Sequence, residues 1–232
     1  MTTISTSPPS SDSDDVARRL LAIRQRIERA GGDPSRVQVV GVTKGFGPEA
    51  VRAARQAGLT DLGENYAAEL VGKAAAAGDP GVVWHFLGAV QRNKVPQLAP
   101  LVGLWESVAR VAEGERIARL APGARVLVQV DTTGLAGRNG CSPDEAGELV
   151  ARLADLGLQV RGLMTVAAPG EGAAKESFAT LGHLADRLDL PERSMGMSDD
   201  LEAAVAAGST MVRIGRALFG PRPPANAASG AG

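Results

Sequence analysis

One lysine follows directly on a buried, strand-like run of apolar residues. The run VQVVGVTK covers residues 37–44 and ends in Lys44, one of only four lysines among the 25 lysines and arginines of the chain. A lysine at a strand end either extends its ammonium group to water or lies desolvated, with a lowered pKa that leaves a free amine. Because a free amine forms a Schiff base with an aldehyde, Lys44 is a candidate for covalent attachment of an aldehyde ligand.

Two segments near the C-terminus could hold an anion beside this lysine. Residues 194–200, SMGMSDD, offer Ser198 and backbone N–H groups at the start of a predicted helix, where phosphate binds well. Residues 213–216, RIGR, offer Gly215, where the backbone can approach a ligand closely. The alternatives are that Ser198 or Asp199 only caps the helix, and that Gly215 only forms a turn.

Other polar residues also fall near predicted strand ends. Arg213 lies two residues before the glycine of RIGR and faces the same side of its strand. Arg213 either holds a polar ligand atom, such as a ring nitrogen, or forms an ion pair in the core, with Glu64 as the candidate partner. Asn65 either contacts a ligand hydroxyl or caps the next helix. We interpret Met195 and Met197 as core or pocket-wall residues.

For three further polar groups, a structural role is a better explanation than a catalytic or binding role. His85 stands between Trp84 and Phe86, which favours a hydrogen-bonded core histidine. Residues 91–94, QRNK, favour the polar first turn of a helix. Glu64 could serve as an acid or base, but we expect it to pair with an arginine.

The elements around these residues alternate regularly along the chain. A first helix carries apolar residues at helical spacing and ends at Gly31 and Gly32. Several later strands are nearly continuous in apolar residues, which is typical of parallel strands buried on both faces. We predict strands at 37–44, 59–64, 82–88, 103–108, 125–131, 158–166, 193–198 and 210–215, and later helices at 48–57, 66–77, 91–101, 110–120, 142–156, 171–189 and 199–207.

Eight strand–helix units after an extra N-terminal helix predict an α/β fold, a single (β/α)₈ TIM-type barrel. In such a barrel the C-terminal strand ends surround the active-site mouth, which would bring the polar residues together. The pattern does not show closure, so an open doubly wound sheet is the alternative. We expect residues 13–220 to form the barrel, between disordered tails at 1–12 and 221–232.

Composition excludes several classes of protein. A net charge of −1 gives no basic field for nucleic acid or an anionic membrane, and no apolar run approaches the roughly 18 residues of a membrane span. The single cysteine, Cys141, excludes an intrachain disulfide and a multi-cysteine zinc site. The N-terminus lacks the basic and apolar regions of a secretory signal. We therefore expect a cytoplasmic monomer with no metal.

Six blocks in order resemble the pyridoxal-phosphate homeostasis protein family, whose single domain is similar to the N-terminal barrel of alanine racemase. The resemblance covers residues 16 to 220. Its blocks are VTK, LGENYAAEL, WHFLGAVQRNK, LVQVD, GLMTV and SMGMSDDLEAAVAAGSTMVRIGRALFG.

The resemblance implies that the cofactor pyridoxal 5′-phosphate (PLP) is held as a Schiff base on Lys44. It implies that Arg213 faces the pyridine nitrogen and that Asn65 lies near the ring. The phosphate would be held by Ser198, Gly215 and Arg216, with Met197 beside them. The family often has threonine at the position of Arg216, so the backbone N–H contact survives here while a hydroxyl contact does not.

The resemblance also implies that the chain is a carrier or regulator of PLP, which could pass the cofactor to apo-enzymes. Its role would lie in the homeostasis of vitamin B6, amino acids and keto acids. The alternative is a PLP-dependent amino-acid racemase on the same barrel. Racemisation needs proton transfer on both faces of the substrate, and racemases supply a tyrosine from a second domain for one face. The one tyrosine here, Tyr66, lies on a predicted helix. We therefore expect no robust catalysis.

Overall fold

The computed structural model describes residues 13–78 and 81–222 of the 232-residue chain. Of the two predicted tails, residues 1–12 lie outside the described residues, as do 223–232; Pro221 and Arg222 are described. Within these described ranges, no helix combines the length and apolar character needed to cross a membrane.

Eight parallel strands form a closed barrel, which confirms the predicted (β/α)₈ fold. Each strand pairs with the next in sequence, and the first pairs with the last, with Val40 opposite Arg213. This pairing rules out the open doubly wound sheet. The strands are β1 (Gln38–Val42), β2 (Asp61–Glu64), β3 (Val83–Phe86), β4 (Val102–Val108), β5 (Arg125–Gln129), β6 (Gln159–Met164), β7 (Glu192–Ser194) and β8 (Met211–Ile214).

Helices surround the barrel and one precedes it, as predicted. The first helix buries Val16, Leu20, Ile23 and Ile27. It ends where Gly31 adopts a φ of +86° and the Gly32 N–H bonds back to the Ile27 carbonyl. The helices are α1 (Ser13–Arg29), α2 (Pro48–Gln56), α3 (Ala67–Ala77), α4 (Val95–Leu98), α5 (Val111–Leu120), α6 (Ala146–Asp155), α7 (Glu171–Arg187), α8 (Leu201–Ala206) and α9 (Arg216–Phe219).

The helix predicted at 91–101 is much shorter in the structure. Pro96 lacks the N–H that would bond to residue 92, and its ring clashes with that carbonyl, so α4 cannot extend towards residue 91. Pro100 has no N–H to donate to the residue 96 carbonyl, so the helical hydrogen bonds stop there and α4 ends at Leu98. Residues 91–94 therefore precede the helix and are not its first turn. The short helix α9 was not predicted.

The apolar core has two layers. The larger lies between the strands and the helices and contains Trp105 and Phe178, both fully buried. The smaller fills the barrel interior with Val40, Leu104, Leu127, Met164 and Met211. Charged side chains are also buried, namely Glu64, Lys73, His85, Glu106, Glu113 and Arg213. Buried charges need partners, and several of these partners converge on the C-terminal end of the barrel.

Candidate functional site

A cavity of about 350 Å³ lies at the C-terminal ends of the strands, between β1, β2, β6, β7 and β8. All seven residues predicted to bind a cofactor line it, although their individual roles stay predictions. They are Lys44, Asn65, Met197, Ser198, Arg213, Gly215 and Arg216. The wall is completed by Val42, Leu87, Met164, Val166, Asp199 and Arg222.

A larger concavity of about 950 Å³ shares Val166, Met197 and Asp199 with this cavity. It opens between the loop after β6 and helix α8 and lacks both Lys44 and Arg213. We assign the functional site to the smaller cavity, because it contains the residues whose chemistry and burial are unusual.

Lys44 enters the cavity from the turn after β1. Gly45 follows it with a φ of +75°, and the Phe46 N–H closes the turn on the Thr43 carbonyl at 3.0 Å. The side chain is half-buried, and burial lowers the pKa of Lys44, helped by the positive charge of Arg222. Lys44 Nζ has no hydrogen-bond or ion-pair partner among the described residues. Both features favour a free, nucleophilic amine.

The turn that carries Lys44 rests on a buried ion-pair cluster. Lys73 Nζ donates to Glu64 Oε1 at 2.5 Å, to the Thr43 carbonyl at 2.7 Å and to Glu69 Oε2 at 2.8 Å. Glu69 Oε2 also accepts from the Gly45 N–H at 2.8 Å. The predicted pairing of Glu64 with an arginine is wrong, because Lys73 reaches it from α3.

Arg213 is buried against the cavity. Its Nη1 donates to Ser194 Oγ and its Nη2 donates to the Thr165 carbonyl, both at 2.7 Å. A guanidinium has five N–H donors, and within the described chain the other three have no acceptor. Burial lowers the pKa of Arg213, while the nearby Glu106 carboxylate opposes that shift. The group remains a fixed cation with donors to spare for a ligand.

Ser194 begins a chain of hydrogen bonds through the barrel interior. Its hydroxyl donates to Glu106 Oε2 at 2.5 Å, and Glu106 Oε1 lies 2.6 Å from His85 Nδ1. His85 Nε2 lies 3.1 Å from Asp61 Oδ1. Burial would lower the pKa of His85, but the two carboxylates raise it to about 9. The prediction of a hydrogen-bonded core histidine is confirmed.

Ser198 lines the cavity from the segment between β7 and helix α8. The helix begins at Leu201 with Asp200 as its N-cap residue, so neither Ser198 nor Asp199 caps it. Instead, the Ser198 carbonyl accepts a 2.9 Å hydrogen bond from Arg26 Nη2 on α1. The Ser198 hydroxyl has no partner among the residues described, which leaves it available to a ligand.

Asn65 and Gly215 occupy the ends of β2 and β8. Helix α3 has Tyr66 as its N-cap and no side-chain cap, so the proposed capping role of Asn65 is wrong. The Asn65 amide is without a described partner and lines the cavity. Gly215 precedes α9, and its carbonyl accepts from the Leu218 and Phe219 N–H groups at 2.9 Å.

Positive charge dominates the cavity wall. Three arginines, Arg213, Arg216 and Arg222, are opposed there only by Asp199, which pairs with Arg216 at 3.3 Å on the surface. Arg222 was not predicted to line the cavity, because it falls in the segment predicted to be a tail. The Arg222 stem packs over Gly45, where an added Cβ would lie 3.0 Å from Arg222 Cδ. Such an excess of cations suits a phosphate dianion.

Known proteins resemble the whole barrel. The family described as "Alanine racemase, N-terminal domain" matches residues 12–223. The pyridoxal phosphate homeostasis protein of Pseudomonas aeruginosa is 40% identical over 218 residues, covering 90% of this chain and 95% of the relative. Its namesake from Escherichia coli is 35% identical over 229 residues, covering 90% and 97%. The chain belongs to the pyridoxal phosphate homeostasis protein family, which the sequence blocks predicted.

A solved structure agrees with this assignment. PipY of Synechococcus elongatus, in a structure with PLP bound, superimposes with a TM-score of 0.79 at 33% identity. The match covers 88% of this chain and 100% of PipY.

Proposed function

We propose that this chain binds PLP in the cavity at Lys44 and acts as a carrier or regulator of that cofactor. One observation carries the proposal: a desolvated lysine without a described partner shares a small, cationic cavity with a buried arginine. The names of the relatives and the PLP-bound PipY support it. The wider role is in vitamin B6 balance and in amino-acid and keto-acid homeostasis.

The residues present fit the chemical groups of PLP. When bound, PLP supplies an aldehyde on an electron-withdrawing pyridine ring. Lys44 Nζ would bond the aldehyde carbon as a Schiff base with loss of water. Arg213 would donate to the ring nitrogen, and Asn65 would contact the ring substituents. Ser198 Oγ and the N–H groups beside Gly215 would hold the phosphate.

The cavity favours binding over turnover. Arg213 would donate to the ring nitrogen and keep it unprotonated, which would make the ring a weaker electron sink and disfavour broad PLP chemistry, though not racemisation itself. Racemisation needs a second acid opposite Lys44. Tyr66 is 63% exposed and does not line the cavity, while Asp199 pairs with Arg216. We therefore assign no robust catalysis to the described site.

The proposal extends to how the cofactor is passed on. Because Lys44 is only half-buried, water could reach a Schiff base there and would release the aldehyde by hydrolysis, which returns the free amine. We propose that the chain acts as a cytoplasmic monomer that passes PLP to apo-enzymes.

Absorbance and covalent trapping test the proposal. Purified protein mixed with PLP should develop an absorbance band at about 420 nm, as a protonated Schiff base does. Borohydride reduction and peptide mapping should then place the adduct on Lys44. The variant K44A should lose both signals, while K94A, which changes an exposed lysine, should keep them. An adduct absent from the wild type, or unchanged in K44A, would overturn the proposal.

Chiral analysis separates the carrier from a racemase. Alanine and several other amino acids are incubated with PLP-loaded protein and the enantiomers are separated. We expect no sustained inversion. Inversion that depends on both PLP and Lys44 would favour the racemase.

A further inference from the structure

We propose that Ser194, Glu106 and His85 are positioning residues that hold the Arg213 guanidinium ready for a ring nitrogen in the cavity. The inference rests on the proposed PLP binding. It assigns a functional role to a set of buried groups that extends well below the cavity.

The geometry links the cavity to the other end of the barrel. Successive contacts join Arg213 to Ser194, Ser194 to Glu106, Glu106 to His85 and His85 to Asp61, at 2.7, 2.5, 2.6 and 3.1 Å. The five residues come from β8, β7, β4, β3 and β2. Asp61 is the first residue of its strand and its side chain is 18% exposed. The chain of contacts therefore runs from the cavity towards the N-terminal face.

Charges alternate along this chain of contacts. Arg213 is positive, Glu106 negative, protonated His85 positive and Asp61 negative, so the four charges sum to zero. Glu106 is fully buried, and each of its oxygens has one partner. The buried Glu106 carboxylate therefore pairs directly with His85, while it reaches the second cation, Arg213, only through the Ser194 hydroxyl.

The Ser194 hydroxyl keeps the Arg213 guanidinium away from the Glu106 carboxylate. It accepts from Arg213 Nη1 and donates to Glu106 Oε2, so it separates the guanidinium from the carboxylate. Without Ser194 or without the His85 charge, Glu106 would attract Arg213 into a bidentate pair. That pair would occupy the N–H groups that a ring nitrogen needs.

The groups facing His85 come from two strands. Glu106 of β4 and Asp61 of β2 contact the imidazole, and Arg213 acts on it through Glu106. Asp61 also accepts from the Thr60 hydroxyl, and Gln38 of β1 contacts it as well. These neighbours favour protonated His85 at neutral pH.

The test compares two ligands, PLP and its carbocyclic analogue with C–H in place of the ring nitrogen. The wild type should bind PLP about tenfold or more tightly than the analogue, since one charge-assisted hydrogen bond is lost. In S194A and in H85Q that ratio should fall towards one. The matched control S107A removes an equally buried hydroxyl that donates to the Gly88 carbonyl, outside the chain of contacts, and should keep the ratio.

A general loss of packing would weaken both ligands equally and leave the ratio unchanged, so that result would overturn the inference. S194A removes a single oxygen atom, which keeps the test decisive if H85Q folds poorly. Borohydride trapping on Lys44 is run alongside. An adduct with an unchanged ratio in both variants would overturn the inference but not the proposed function. No adduct in the wild type would overturn both.

Discussion

Lys73 Nζ donates a 2.7 Å hydrogen bond to the carbonyl of Thr43, the residue before Lys44. The same ammonium group neutralises buried Glu64 at 2.5 Å. One side chain of α3 thus fixes the turn that carries the candidate Schiff-base lysine and supplies the counter-charge beneath it. The candidate nucleophile, Lys44, is therefore held in place by a second lysine, Lys73.

Removal of Lys73 should strongly destabilise the protein. K73M leaves Glu64 fully buried without its cation, and breaking a buried pair costs about 3–5 kcal/mol. Chemical denaturation at neutral pH measures the change in unfolding free energy. The double variant K73M/E64Q should recover part of the loss, because the orphaned charge is gone. A loss in K73M no larger than that in K94M would contradict this account.

The stability contributed by His85 should depend on pH. The folded-state pKa is raised from 6.5 to about 9, so the contribution is complete below about pH 6.5 and is lost as pH rises to about 9. A shift of this size corresponds to about 3 kcal/mol. The free-energy difference between wild type and H85Q should therefore shrink by about that amount between about pH 6 and 9.5. A difference independent of pH would argue against a charged imidazole.

Arg26 should matter for PLP affinity, although it lies outside the cavity. It pairs with Glu202 at 2.6 Å and holds the Ser198 carbonyl at 2.9 Å. R26A should loosen the segment that carries the Ser198 hydroxyl and weaken PLP binding about fivefold, as expected for one lost hydrogen bond. Fluorescence titration measures the affinity. R24A, which changes an exposed arginine of the same helix, is the control and should leave it unchanged.

Arg222 should tune the acidity of Lys44. Its positive charge adds to burial in lowering the pKa of Lys44. R222A should therefore move that pKa upwards, and the pH midpoint for adduct formation with PLP should rise. Rates of borohydride-trappable adduct formation across pH measure the midpoint. The control variant R119A, on the exposed face of α5, should leave this pH midpoint unchanged. An equal shift in R222A and R119A would show that the charge of Arg222 does not act locally on Lys44.

The sequence predicted the barrel because the alternation of apolar strands and amphipathic helices is a local property. It also predicted which strand-end residues share the cavity, since barrel topology brings all such ends to one face. Lys44, Asn65 and Ser198 were found in this way.

The residues that support the cavity from outside were not predicted from the sequence, and the reason is physical. Lys73 and Arg26 sit on helices, where a basic residue is usually solvated, and their targets are fixed only by how the helices pack. The prediction that Glu64 pairs with an arginine was wrong for that reason. Arg222 was missed because its surroundings, rich in proline and alanine, are typical of a tail. The shortness of α4, by contrast, follows from Pro96 and Pro100 and could have been predicted.

Closure of the barrel between β1 and β8 has a consequence for synthesis on the ribosome. Lys44 emerges early, whereas Arg213 and Gly215 lie near the end of the described chain. These groups become neighbours only when the last strand pairs with the first. A nascent chain therefore carries the reactive amine long before it carries the groups that recognise a ligand, and selective loading must wait until β8 has been synthesised.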